Sequence, residues 1–395
     1  MVQLPHVQPV PATLLAAIDA VAGERFGRGD LRGAALARAV QAVSAAYTRE
    51  RDGLRSLDGD DSALCARLRF FLPRDAPKIA APLAELAAAS ALPRGPELRV
   101  LDLGAGLGTT SLGAAGFLLA QPGIERVHVD ALDQDPAALQ IAMALSARYA
   151  RDAGLALQMK AQRAALTPQL LGRLAPPYQL IVLGFVLNEL ALQSSDPAEQ
   201  HARWLTQLGS LLSDDGAIVV LEPALRAQSR ALQLARAKLL AQGGPPYLFA
   251  PCLHAGTCPL LERERDWCHE RLPLALPEAI ATIARDAGLR ESELSYSYLT
   301  LCRAPRSLVE LAHGAPERLY RVVSAPLASK GKLELGLCGP GGATRARRLD
   351  RHAGDANQAI EHGGRGQLLR FTGGDATAPE GTLKVGADGR VERVS

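Results

Sequence analysis

Hydrophobic positions in the first ninety residues recur at spacings of three and four. They predict helices over Ala12–Ala22, Asp30–Arg49, Asp61–Phe71 and Ile79–Ala91. An Asp-Gly-Asp-Asp stretch at 58–61 separates two of these, and the segment from Pro93 to Pro96 closes the region. From Leu98 the pattern changes. Short apolar runs at Leu98–Leu103, Arg126–Leu132, Leu155–Lys160, Gln179–Phe185 and Ala217–Leu221 predict strands. Helical patterns at Thr109–Leu119, Pro136–Arg151 and Pro197–Leu212 lie between them, with Asp135 placed to cap the second. Alternation at this rhythm predicts an α/β fold whose parallel sheet is covered on both faces.

Beyond Glu222-Pro223 a long helix is predicted to about Gln242, where Gly243-Gly244-Pro245-Pro246 ends it. Pro277–Ala287 reads as a helix and Leu294–Cys302 as a strand. The tail from Ser324 is rich in glycine and carries short alternating runs at Lys332–Cys338, Gln367–Phe371 and Thr382–Val385. It reads as a small β unit or an extended wrap. The organisation expected is a helical region over 1–92, an α/β domain over 93–323 that includes a cysteine-rich loop at 247–270, and a β-rich extension over 324–395.

Composition changes this picture little. The 395 residues are 48% hydrophobic and 22% charged, which is ordinary for a globular chain. No apolar run approaches the ~20 residues that cross a bilayer. Met1 to Ala20 lacks the features of a secretory signal or a transit peptide. The expectation is a soluble cytoplasmic protein of bacterial type, with the mitochondrial matrix the lesser alternative and no membrane partner. A net charge of +3 is too small to announce a nucleic-acid binder. Between Arg303 and Arg370, however, twelve Lys/Arg stand against six Asp/Glu, so a phosphate-facing surface and an ordinary solvated one both stay open.

The first strand runs into Asp102-Leu103-Gly104-Ala105-Gly106-Leu107-Gly108-Thr109. Glycines let the backbone turn tightly and approach a ligand, and the helix that follows offers unpaired N–H groups. The third glycine arrives one residue too early for a dinucleotide fingerprint. The spacing resembles motif I of the S-adenosylmethionine-dependent methyltransferases, with Asp102, Gly104, Gly106 and Gly108 as cofactor-binding candidates. Asp133, at the end of the second strand, is placed to accept hydrogen bonds from ribose hydroxyls. The alternative is a tight turn with no ligand and an acid that only caps a helix. The fourth strand leads into Gly184-Phe185-Val186-Leu187-Asn188-Glu189-Leu190. That strand end faces the methyl acceptor in such folds, so Asn188, a further cofactor-binding candidate, and Glu189 are placed to touch substrate or cofactor, or they merely start a helix. Base-directed amine methylation uses an Asn/Asp-Pro-Pro-aromatic set there, which this chain lacks. No general base can be named.

Cysteine usage adds a second chemistry. Cys252, Cys258 and Cys268 fall within seventeen residues, with His254 and His269 among them. Their spacing is not that of a zinc finger. Thiolates on a loop bearing proline and glycine suit a metal or an iron–sulfur cluster, which takes about four cysteines. Cys338 is the choice for the fourth, and Cys302, on a predicted strand, the competitor. Cys65 reads as a packed helix residue. Zinc with histidine substitution, a nucleophilic Pro251-Cys252 and three unrelated core cysteines are the alternatives.

Together these features look like a known family. The chain resembles the methyltransferase-like small-ribosomal-subunit proteins, known from mitochondria and with bacterial relatives. The resemblance rests on Leu101 to Gly106, on Val186 to Leu190, and most specifically on Ala250-Pro251-Cys252-x-His254 with Cys258-Pro259 and Trp267-Cys268-His269. Weaker echoes lie at Val43 to Tyr47 and across Arg69–Leu83. It implies a class I S-adenosylmethionine-dependent methyltransferase core (Rossmann-like) and association with the small ribosomal subunit and its rRNA, DNA not being expected. It also implies a [4Fe-4S] cluster on Cys252, Cys258, Cys268 and Cys338. Some members use the fold for RNA binding and assembly rather than for methyl transfer.

Overall fold

A computed structural model describes residues 8–48, 60–191, 194–290, 292–373 and 381–394. Helices α1 (Ala12–Phe26) and α2 (Gly33–Thr48) open the chain. The second starts three residues later than the pattern predicts, because Asp30 is engaged elsewhere. Its carboxylate accepts from Arg69 Nε at 2.5 Å and Nη2 at 2.6 Å. Of the predicted 58–61 break, 58 and 59 lie outside the described residues.

The two helices predicted within 61–91 form one interrupted rod. It comprises α3 (Asp61–Ala66), a π-turn (Arg67–Phe71), α4 (Leu72–Asp75), a 3-10 turn (Ala76–Ile79) and α5 (Ala80–Ala88). Pro73 and Pro77 each sit in the first turn of a new segment, where the missing N–H costs nothing. Asp60 caps the rod by accepting from Ser62 N at 2.9 Å. Apolar residues of α1 and the rod, among them Leu14, Ile18, Leu68, Leu72 and Leu83, share one core with Leu98, Val100, Val127 and Val129 of the sheet. The helical region is therefore packed on the α/β core.

That core runs β1 (Glu97–Leu103), α6 (Thr109–Leu118), β2 (Arg126–Asp133), α7 (Pro136–Ala153), β3 (Leu157–Arg163), α8 (Pro168–Leu171), β4 (Tyr178–Gly184) and α9 (Leu187–Leu190). It continues through α10 (Pro197–Gly209), β5 (Leu212–Pro223), α11 (Arg226–Gln242), β6 (Tyr247–Ala250), β7 (Glu270–Pro273), α12 (Glu278–Asp286) and β8 (Glu293–Cys302). Strand order is β3-β2-β1-β4-β5-β8-β6, with β7 also on β8. Strands β1 to β5 are parallel, while β8 runs antiparallel to β5. Asp135 caps α7 as expected, accepting from Ala137 N and Ala138 N. The β5 run is longer than its apolar centre suggests, because Leu212 pairs with Tyr178 across a register shift. The order reverses between β1 and β4, which opens a crevice at their carboxyl ends.

The tail folds into a second sheet. Strands β9 (Leu319–Val322), β10 (Leu327–Ser329), β11 (Lys332–Gly339), β12 (Gly342–Leu349), β13 (Leu368–Thr372), β14 (Thr382–Val385) and β15 (Arg390–Arg393) take the order β14-β12-β11-β9-β13-β15, with β10 on β11. It begins with β9, which lies before 324. Val322, Leu335, Leu337, Ile360, Leu369 and Phe371 form its core. Among the described residues, no helix is long and apolar enough to cross a membrane.

Candidate cofactor cleft and cysteine centre

The glycine loop leaves β1 into the crevice. Gly104, Gly106 and Gly108 all have positive φ, at 70°, 51° and 75°, a conformation that side chains resist. Gly104 N and Ala105 N donate to Leu132 O at 2.8 and 3.0 Å, and Gly106 N donates to Asp133 Oδ2 at 2.8 Å. The other Asp133 oxygen accepts from Asp135 N at 2.8 Å. The loop and the acid predicted from separate strand ends are thus one hydrogen-bonded unit. Gly104 is also required by packing, since a Cβ there would stand 2.4 Å from Val186 Cγ2.

Asp102 lies beneath this loop, 1% exposed, and neither carboxylate oxygen has a hydrogen-bond partner of normal geometry. Burial pushes its pKa up to about 7, an effect that nearby Ser111 partly offsets. A buried, unpartnered acid beside a glycine loop fits a ligand carrying positive charge.

At the end of β4, Phe185 holds φ 66°, a strained position for an aromatic residue. Asn188 is buried, and its side-chain amide donates to Phe185 O at 2.9 Å, while its backbone N donates to Glu222 Oε1 at 3.2 Å. Asn188 therefore braces the β4 turn. Lys78, which the sequence pattern did not single out, sits 4.7 Å over the Phe185 ring and pairs with Asp75 at 2.9 Å. Burial lowers its pKa against the pull of that carboxylate. Asp102, Gly104, Gly106, Gly108, Asp133 and Asn188 therefore lie on the two strand ends that flank the switch point and on the neighbouring β2.

The cysteine-rich loop leaves β6 at the opposite side of the sheet, beyond β5 and β8. That placement removes Pro251-Cys252 from the β4 end, where a nucleophile on a substrate would stand. Arginines shape the loop by donating to its carbonyls. Arg236, 1% exposed, donates to Gly256 O at 2.8 Å and also to His254 O. Arg230 reaches the carbonyls of Leu261, Arg263 and Asp266 at 2.9–3.0 Å, and Trp267 Nε1 donates to Ala224 O at 2.9 Å. Ser297 Oγ donates to Cys268 O at 3.0 Å.

Cys338 joins them from the second sheet. It stands opposite Arg321 in the β11–β9 pairing, and Arg321 Nε donates to Pro251 O at 2.8 Å. All six cysteines are free thiols. Burial raises the pKa of Cys252 to about 11 and of Cys338 to about 12, and raises those of Cys258 and Cys268 as well. Beyond burial, Cys268 is raised further by Cys252, Cys258 and Cys338, and Cys338 by Cys252 and Cys258. The four are electrostatic neighbours. Among the described residues, no three His, Cys, Asp or Glu side chains converge closely enough to hold a metal ion as they stand. Cys302 packs in β8, paired with Ala217 and Tyr247, and Cys65 packs near Asp30, so neither joins the group.

Most of the basic residues from Arg303 to Arg370 are engaged by acids or backbone carbonyls. Arg321 and Arg348 are buried. Arg303, Arg365 and Arg370 donate to backbone carbonyls, Arg306 pairs with Glu310, and Lys332, Arg345 and Arg347 all meet Glu334. Lys330 and Arg351 are exposed.

A five-stranded parallel array with its switch point between β1 and β4, an antiparallel β8 inserted beside β5, and a glycine loop after β1 define a class I S-adenosylmethionine-dependent methyltransferase fold. The family model described as "Mitochondrial small ribosomal subunit Rsm22" matches residues 75–369, and the chain belongs to that family. Among solved structures, precorrin-6y C5,15-methyltransferase of Geobacter metallireducens is 16% identical, covering 56% of this chain and 88% of its own, with a TM-score of 0.32. The plantazolicin methyltransferase BamL is 12% identical, covering 67% and 98%, with a TM-score of 0.37. No curated protein matches in sequence.

Proposed function

We propose that this protein works on the small ribosomal subunit, binding or acting on its rRNA during assembly or translation, with an S-adenosylmethionine site at Gly104–Gly108 and a [4Fe-4S] cluster on Cys252, Cys258, Cys268 and Cys338. Support for the cluster comes from the mutual electrostatic influence of Cys252, Cys258 and Cys268 on the loop and Cys338 on β11, and from the arginines around them. A cluster held by four thiolates is anionic, and Arg236, Arg321 and Arg365 supply the positive field it needs. Four thiolates on one zinc, with bonds of about 2.3 Å, must crowd within about 4 Å of each other. A cluster of iron and sulfide holds its four thiolates farther apart than that.

For the cofactor, Asp133 would take the ribose hydroxyls and the orphaned Asp102 carboxylate would face the cationic part of the ligand. The cofactor would supply an electrophilic methyl group. The chain's own contribution is to bind and orient. A second reading, an assembly factor that does not transfer methyl groups, is favoured by Asn188, whose side-chain amide donates to Phe185 O and so braces the β4 turn. The compartment follows from the ribosome served, the bacterial cytoplasm or the mitochondrial matrix.

Anaerobically purified protein tests both halves. Four irons and four sulfides per chain, with a shoulder near ~400 nm, are expected, together with co-sedimentation with small subunits. Stoichiometric zinc in place of iron, or no retention on small subunits, overturns the corresponding half. Transfer of labelled methyl to rRNA separates the catalytic reading from the assembly one.

A further inference from the structure

Arg67 belongs to neither the glycine motif nor the cysteine motif. It begins the π-turn Arg67–Phe71, and it and Arg69 face different sites. Arg69 goes to Asp30 and Asp19. Arg67 goes to the glycine loop, where its Nη2 lies 2.8 Å from the point a Cβ on Gly106 would occupy. That is the closest approach any side chain makes to this glycine. Its Nη1 stands 3.9 Å from Asp135 Oδ2, a buried oxygen that accepts no hydrogen bond. Against the cost of burial, Tyr47 and then Asp133, Asp135 and Glu189 favour its charged form.

The crevice is otherwise acidic. Asp102 is buried and unpartnered, and Asp133 and Asp135 line the neighbouring strand end. Such a site suits the cationic groups of an adenosyl amino acid but repels its carboxylate, which needs a cation of its own. A guanidinium offers paired donors matched to a carboxylate.

We propose that Arg67 is the carboxylate anchor of the crevice, and that its guanidinium, standing over Gly106, takes the amino-acid carboxylate of the cofactor and so selects ligands that carry the amino-acid half. This rests on the cofactor reading given above. Arg67 acts by binding and takes no part in bond making.

The test compares S-adenosylhomocysteine with 5′-methylthioadenosine, which has the same nucleoside and thioether but no amino-acid group. Titration calorimetry on the full, cluster-loaded chain is the readout. The wild type is expected to favour S-adenosylhomocysteine. Arg67→Gln is expected to weaken that ligand by roughly tenfold to a hundredfold, the worth of a charged hydrogen-bond pair, and to leave 5′-methylthioadenosine unchanged. Arg67→Lys, which keeps the charge and loses the fork, is expected to fall between, and it serves if the glutamine variant does not fold. Unchanged S-adenosylhomocysteine affinity in Arg67→Gln overturns the anchor alone, as does equal weakening of both ligands. A wild type that binds neither ligand overturns the cofactor reading, and the anchor with it.

Discussion

Cys338 lies directly opposite Arg321 in the antiparallel pairing of β11 with β9. Arg321 also donates to Pro251 O, next to Cys252, and to Glu85 Oε1 of α5 at 2.7 Å. One buried guanidinium therefore ties the tail sheet, the cysteine loop and the N-terminal rod together.

This relationship predicts which cysteine is the fourth ligand. Cys338→Ser should lose most of its iron and the shoulder near ~400 nm, whereas Cys302→Ala should keep both. Iron and sulfide assays on the two variants, purified side by side without oxygen, decide the matter. Full iron in Cys338→Ser would remove Cys338 from the site.

The Arg321–Glu85 pair is 5% exposed on each side, and Tyr298 Oη also donates to Glu85, at 2.5 Å. Removing one member of a buried pair strands the other and costs about 3–5 kcal/mol. Arg321→Met and Glu85→Met should each destabilise by about that amount in urea unfolding, and the double variant by less than their sum. Additive losses would show that the two residues act independently.

Asp102 predicts a pH dependence. Its folded pKa of about 7 lies above the usual aspartate value of 3.8. The folded state therefore holds the proton more tightly, and ionising the group costs stability. That cost is absent below pH about 4, grows as pH rises and is complete above about 7, where it amounts to a few kcal/mol. Asp102→Asn should leave stability at pH 4 nearly unchanged and raise it at pH 8. Equal differences from wild type at both pH values, measured by urea unfolding, would contradict this account.

Most cations between Arg303 and Arg370 are already paired, so RNA binding through that stretch should depend only modestly on salt. Lys330→Gln and Arg351→Gln should each reduce the slope of log affinity against log salt by about one. An unchanged slope on small-subunit RNA would move the contact surface away from the tail.

Much of the core was readable because local pattern and burial agree there. The glycine loop, the Asp135 cap and all five parallel strands fall where apolar runs and capping chemistry place them. Misreadings gather where local signals compete with distant ones. The pattern gives two helices, Asp61–Phe71 and Ile79–Ala91, yet Pro73 and Pro77 between them each fit the first turn of a new segment, and the rod continues. Asp30 looks like a helix start until Arg69 takes its carboxylate. Arg67 and Lys78 carry no motif and reach the crevice only because the rod packs across the strand ends. The count of basic residues after Arg303 leaves a phosphate-facing and an ordinary solvated surface both open, and pairing with Glu334, Glu310 and backbone carbonyls engages most of them.

By itself the sequence determined the α/β alternation, the glycine loop after the first strand, the family, and the three cysteines of one loop. Each of these is written within a few residues of chain, where spacing alone sets geometry. Tertiary structure decided the rest. Cys338 reaches the loop only through the β9–β11 register and Arg321, about eighty residues downstream of the first thiol. Arg67 reaches Gly106 from a rod that the pattern divides in two. Contacts across such separations depend on strand register and helix packing, which no local periodicity encodes.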